Sequence, residues 1–239
     1  MSQVPARVTP ALYHLLPSCP GLEIAEGLTG TNLFDARLWQ GSILQTLEEY
    51  VRLYAVSKRN RQEQARELFS ALLEAAHSHR ERIEAFRLSH AGLKPKDWLC
   101  VVGVDARTRV RLKVTRTRQG PQFDFGGEDR DNQWQDGIDN AAKRATGDGT
   151  VPFEGALPRF LALENLVCVT PDDYGYWEVQ DRALTRIAGF HGILPNMNML
   201  HRLVVRHLTG RPDTRGNTWG RPAPGVAKWQ PPLPLSLKA

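Results

Sequence analysis

The chain reads as an α/β protein, on three observations. Two compact apolar runs, Trp98 to Val104 and Asn165 to Val169, have the length and near-continuous hydrophobicity of strands buried on both faces. Segments with apolar residues at helical spacing lie before, between and after them. The composition, 41% hydrophobic and 24% charged over 239 residues, is that of an ordinary globular chain rather than a disordered one. No apolar run approaches the roughly 20 residues needed to span a bilayer.

From Leu38 to Val56, Ile43, Leu44, Leu47, Val51, Tyr54 and Ala55 recur at helical spacing. After Asn60 a second stripe runs through Ala65, Leu68, Phe69, Leu72, Ala76, Ile83 and Phe86, with Arg and Glu opposite. Two amphipathic helices are predicted here. The run at Trp98 follows, and then Arg107, Arg109, Arg111, Lys113, Arg116 and Arg118 crowd one segment in which Val110, Leu112 and Val114 alternate with the cations. That alternation fits a half-buried strand with a solvated face, paired through a Gln119-Gly120-Pro121 turn with Phe123 and Phe125. Such a ribbon can also attract nucleic acid or an anionic surface, but a charged strand face needs no partner, and nucleic acid is not the expected one. Gly126 to Asp139 is polar; counted as an EF-hand from Asp129, it places Trp134 where glycine is needed and Asn140 where glutamate is needed, so a calcium loop is excluded.

Pro152 is suited to start a helix running toward Leu163. Beyond the Asn165 run come Asp172, Asp173 and Glu178 in a polar segment, then a histidine loop, then a helix from Met197 to Leu208. Past Gly210, proline and glycine dominate, as in Arg221 to Gly225 and Pro231 to Pro234, predicting an extended or disordered tail. The N-terminus lacks the basic start, apolar stretch and cleavage site of a signal peptide, so a cytoplasmic location is expected. Cys19, Cys100 and Cys168 are too widely spaced for a C-x-x-C pair and read as free thiols. There is no metal motif, phosphate loop or dinucleotide fingerprint, and no cofactor is expected.

Chemistry concentrates in two motifs. One is Gly147-Asp148-Gly149-Thr150-Val151-Pro152; the other, about forty residues later, is Phe190-His191-Gly192-Ile193-Leu194-Pro195-Asn196. A carboxylate and an imidazole on loops at one edge of a parallel sheet are what a hydrolase triad needs for two of its three parts, although a G-D-G by itself is more often a plain turn. The third part needs a hydroxyl on a strained G-x-S-x-G turn. None of Ser2, Ser18, Ser42, Ser57, Ser70, Ser78, Ser89 or Ser236 has that setting. Asp172 and Asp173 are alternative acids; His201, His207, His14, His77, His79 and His90 are alternative bases in helical or leader settings.

Together with Tyr13 to Pro17, Trp98 to Gly103 and Thr108, these motifs resemble the C-terminal half of the lecithin:cholesterol acyltransferase and phospholipid:diacylglycerol acyltransferase family of α/β-hydrolases. The resemblance covers the chain to about Gly210. It implies the C-terminal portion of an α/β-hydrolase fold: a leader at 1–33, a helical cap at 34–92, a portion at 93–210 with the acid and histidine loops, and a Pro/Gly-rich tail at 211–239. It makes Asp148 the triad acid and His191 the base, and puts the nucleophile and oxyanion hole upstream of Met1, on a complementing N-terminal half. The implied function is part of a serine ester hydrolase or O-acyltransferase acting on lipid or acyl esters, inactive without that half. A noncatalytic binding module and an anionic-surface binder using Arg107 to Arg118 are the alternatives.

Overall fold

The computed structural model describes residues 8–16, 22–54, 60–104, 108–109, 111–124 and 147–237, and these form a mixed α/β protein. In chain order they give α1 (Pro10–His14), β1 (Leu22–Ile24), α2 (Gly41–Tyr54), α3 (Arg61–Ala85), β2 (Val101–Gly103), β3 (Leu112–Thr117), β4 (Gly120–Asp124), α4 (Phe153–Ala156), β5 (Val167–Val169), α5 (Val179–Ala188), α6 (Phe190–Ile193), α7 (Asn198–Thr209), β6 (Trp219–Gly220) and β7 (Ser236–Leu237). Two compact units result: Met1–Ala85 with Arg111–Gly126, and Phe86–Val110 with Gly127–Ala239. Compactness thus groups the hairpin with the helices of 34–92 rather than with the rest of 93–210.

In the first unit, apolar residues repeat at helical spacing because α2 and α3 bury one stripe each. Leu47 and Val51 from α2 meet Ala65, Phe69, Leu72, Leu73 and Ala76 from α3, with Tyr13 of α1 in the same cluster. Burying a side chain such as Phe69 contributes about 1.5–3 kcal/mol relative to leaving it exposed. The Tyr13 and Trp39 rings both meet Phe69 edge-on, at 6.0 and 5.5 Å between centroids. Arg80 donates to the carbonyls of His14 and Leu16, tying the end of α1 to α3.

The hairpin forms as expected, with β3 antiparallel to β4, and the tight connection falls at Arg118 and Gln119, one residue earlier than the sequence suggests. A strand the pattern did not announce, β1, pairs parallel with β3 (Leu22 with Leu112, Ile24 with Val114). Three residues are too few to show a period of two. Val114 is fully buried, whereas Arg111, Lys113, Arg116 and Arg118 are exposed. Val110 and Arg107 lie outside the described residues, as does the polar stretch at 126–139.

In the second unit β2 and β5 pair in parallel, Val101 with Val167 and Gly103 with Val169, at the centres of the two apolar runs. All three residues of β5 are buried, as their unbroken apolar character requires. One edge of β5 carries β2; at the other, the Cys168 N–H donates to Arg221 O at 2.8 Å and the Arg221 N–H to Cys168 O at 3.1 Å. Turns and bends interrupt the tail between its short strands β6 and β7, and it is packed rather than free: Ala223 and Leu233 are buried, and Trp229 Nε1 donates to Leu166 O at 2.7 Å. The proline-rich stretch supplies apolar surface and backbone carbonyls to the unit instead of leaving it.

Three local boundaries differ from the sequence reading. The helix after Pro152 stops at Ala156, and Leu163–Asn165 forms a separate 3₁₀ turn, because Pro158 interrupts the run. The segment read as polar contains α5. His191 sits in the single turn of α6, entered through Gly189, rather than in an irregular loop. Helix α7 forms where expected, burying Met199 and Leu203 and ending at Gly210 in the left-handed conformation. Among the described residues, no helix is long and apolar enough to cross a membrane.

Candidate active site

Asp148 lies in a turn closed by the bridge between Gly147 and Pro152, with the Asp148 N–H donating to Val151 O at 3.2 Å. Its Oδ1 accepts from the N–H groups of Thr150 at 3.0 Å and Val151 at 2.7 Å, an arrangement that short acidic side chains favour in turns. That fixes the carboxylate through Oδ1 and leaves Oδ2 for a second partner. The N–H of Gly149 donates to Thr108 Oγ1 at 2.7 Å. Gly149 has φ +91°, a backbone region an L side chain rarely adopts, which accounts for glycine beside the acid.

His191 Nδ1 is 2.7 Å from Asp148 Oδ2. An ionised carboxylate only accepts, so Nδ1 carries the proton and the neutral ring keeps Nε2 as its acceptor and base. The Asp148 side chain is 16% exposed and the imidazole 51%, so the acid is sheltered and the base is reachable. Charge-assisted hydrogen bonds of this length are among the stronger ones in proteins.

Both loops meet over the end of β2. A Cβ built on Gly103 would stand 2.8 Å from Asp148 Cβ, 2.7 Å from Leu194 Cδ1 and 3.1 Å from Phe190 Cε1. The glycine closing the Trp98 run is thus the floor on which the acid loop and the histidine turn converge. That position, beyond the carboxyl ends of adjacent parallel strands, is where open α/β sheets gather functional groups.

The alternative acids are placed elsewhere. Asp173 is fully buried, accepting from the Thr170 N–H and Trp219 Nε1, each at 2.8 Å, and ion-paired with Arg221. It fastens the tail to the end of β5. Asp172 is exposed, 3.5 Å from Arg182. Glu178, also buried, accepts from the N–H groups of Gly175 and of Asn198 at the start of α7. Among the alternative bases, His201 Nε2 meets Pro195 O at 2.7 Å, His14 and His79 stack at 4.3 Å between centroids, and His77 is 4.0 Å from Glu81. His90 lies in the 3₁₀ turn Leu88–Ala91 and His207 in the last turn of α7. Of the sequence candidates, Asp148 and His191 are brought together as acid and base, whereas Asp172 and Asp173 pair with arginines.

Ser42 lies in α2, Ser70 and Ser78 in α3, Ser89 in the turn Leu88–Ala91 and Ser236 in β7, so none of these occupies a strand-to-helix turn. Ser2, Ser18 and Ser57 fall outside the described residues. Among the described residues no three His, Cys, Asp or Glu side chains are grouped to hold a metal ion. Burial pushes the thiols of Cys100 and Cys168 up, to about 11 and about 12, so neither is a ready nucleophile. Sequence reasoning missed the contact from Thr108 to Gly149 and the anchoring roles of Asp173 and Glu178. A threonine accepting one backbone N–H leaves no pattern; a buried acid is visible only once Arg221 arrives from the tail.

No protein-family model, curated protein or solved structure matches the chain in comparison.

Proposed function

We propose that the second unit is the acid- and histidine-bearing part of a serine ester hydrolase or O-acyltransferase of the lecithin:cholesterol acyltransferase type, with the last strands of an α/β-hydrolase sheet in β2 and β5. The observation that carries the reading is the 2.7 Å pairing of Asp148 Oδ2 with His191 Nδ1 at the ends of those strands. In this role Asp148 holds the imidazole and stabilises its charged form. His191 Nε2 removes the proton from an attacking hydroxyl as that oxygen bonds to the ester carbonyl carbon. The same proton then goes to the departing alkoxide as the carbon–oxygen bond breaks, leaving an acyl-enzyme and a free alcohol. Water or a second alcohol, deprotonated by the same nitrogen, then bonds to the acyl carbon; the bond from that carbon to the enzyme's oxygen breaks, and the proton on the imidazole returns to that oxygen and restores the hydroxyl.

The hydroxyl and the oxyanion donors come from a complementing polypeptide segment, because no G-x-S-x-G turn is present in this sequence. A lipid or acyl ester is the substrate class that the resemblance supplies. The test is to recover the protein from its own cells, measure its intact mass and the masses of whatever co-purifies, and treat it with a fluorophosphonate. The expected result is a labelled serine on a covalently continuous or tightly associated segment. An unlabelled species of 26.9 kDa without ester turnover would leave a noncatalytic module as the function.

A further inference from the structure

We infer that Thr108 is a positioning residue for the acid–base pair, acting through the Asp148 turn; the inference rests on the proposed role of that pair. Thr108 is 1% exposed and stands 41 positions from the glycine whose N–H it accepts, at 2.7 Å. Its methyl group lies where a Cβ on Gly147 would come within 2.8 Å. One side chain thus seats both glycines flanking Asp148, the first by packing and the second by a hydrogen bond.

The other bonds that shape the turn are internal to it. Oδ1 is held by the N–H groups of Thr150 and Val151, and the Asp148 N–H by Val151 O. They shape the loop from within, while the close approach of Gly103 supports it from below. Thr108 is buried and stands outside that loop, so its hydroxyl and methyl hold the loop from without. A shift of about 1 Å at Oδ2 would carry the 2.7 Å contact with His191 out of the hydrogen-bonding range. The hydroxyl oxygen of Thr108 therefore acts on the imidazole at one remove.

Thr108→Val and Thr108→Ser separate this role from plain packing. Valine keeps the branched shape and loses the acceptor, leaving the Gly149 N–H unpaired; serine keeps the acceptor and loses the methyl. The readout is the downfield, slowly exchanging Nδ1–H proton resonance of an imidazole bonded to a carboxylate, identified as that of His191 by its disappearance in His191→Gln, with melting curves recorded for each full-length chain. The inference expects the resonance in the wild-type and Thr108→Ser proteins and its loss in Thr108→Val. Its survival in Thr108→Val would overturn the inference while leaving the pair intact. Equal loss in both variants, in step with lowered melting temperature, would overturn it in favour of packing alone. No such resonance in the wild-type protein would remove the Asp148 and His191 pairing itself, and this inference with it.

Discussion

Asp148 Oδ2 and His191 Nδ1 lie 2.7 Å apart although 43 positions separate the two residues in the chain. The distance is set from below: β2 and β5 run side by side in parallel, the acid turn folds over the end of the first, and the histidine turn follows the second after α5. Neither residue is placed by its neighbours in sequence alone.

Gly103→Ala is a small change that attacks this convergence without replacing either member of the pair. The added methyl would stand 2.8 Å from Asp148 Cβ, an atom close to the backbone that cannot swing aside, as well as 2.7 Å from Leu194. Overpacking of this kind costs about 1–3 kcal/mol. Chemical denaturation is expected to show a loss in that range. A variant as stable as the parent would mean the acid loop is not seated on β2.

Asp173 is an anchor rather than a catalytic acid. With its carboxylate fully buried against Arg221, Trp219 and the Thr170 N–H, Asp173→Ala leaves a guanidinium without its partner. Removing one member of a buried pair costs about 3–5 kcal/mol. The measurement is unfolding by denaturant together with limited proteolysis of the tail. Stability unchanged within about 1 kcal/mol would show the tail to be held by other contacts.

The pairing of Asp148 with His191 could be anticipated only through the resemblance of the two motifs that hold them, since glycines beside an aspartate by themselves mark a plain turn; the helices α2, α3 and α7 could be anticipated because one stripe of each meets a core. Helix α5 escaped notice for a physical reason. Its apolar residues Val179 and Leu184 are exposed, and Asp172, Asp173 and Glu178 just before it give the segment a polar look. Two of those acids, Asp173 and Glu178, are buried; each accepts one local N–H, from Thr170 and from Gly175, but the partners that complete them, Trp219 and Arg221 for the first and Asn198 for the second, lie beyond any local pattern. The packing of the proline-rich tail was hidden likewise, since its contacts with β5 are mainly backbone bonds and single aromatic rings.

Acid should loosen the first unit. Desolvation first, then the neighbouring His14, Arg82 and Arg80 charges, hold the His79 imidazole below the ordinary histidine range. The folded form therefore binds that proton less tightly than the unfolded one. This contribution is at its most favourable above the ordinary histidine range and is lost as pH falls through that range toward the lowered folded value. Melting temperature measured from pH 8 to pH 5 is expected to decline less in His79→Gln than in the parent. Parallel declines would assign the acid sensitivity to other groups.

Cys100 and Cys168 should resist alkylation. With thiols pushed up to about 11 and about 12, almost no thiolate is present near neutral pH. Iodoacetamide at pH 8 followed by peptide mapping is expected to leave both unmodified in the folded chain and to modify both in denaturant. Rapid modification of either in the folded chain would show that the β2–β5 face opens.

Ester turnover should depend on His191 as the base. The most direct measurement is ester turnover by the native assembly, purified with and without His191→Ala, with His207→Ala as a control on a half-buried imidazole in the last turn of α7. The account expects turnover to fall on the order of a millionfold in His191→Ala and to be unchanged in His207→Ala. Equal turnover in the parent and His191→Ala proteins, or none in the intact native assembly, would contradict it.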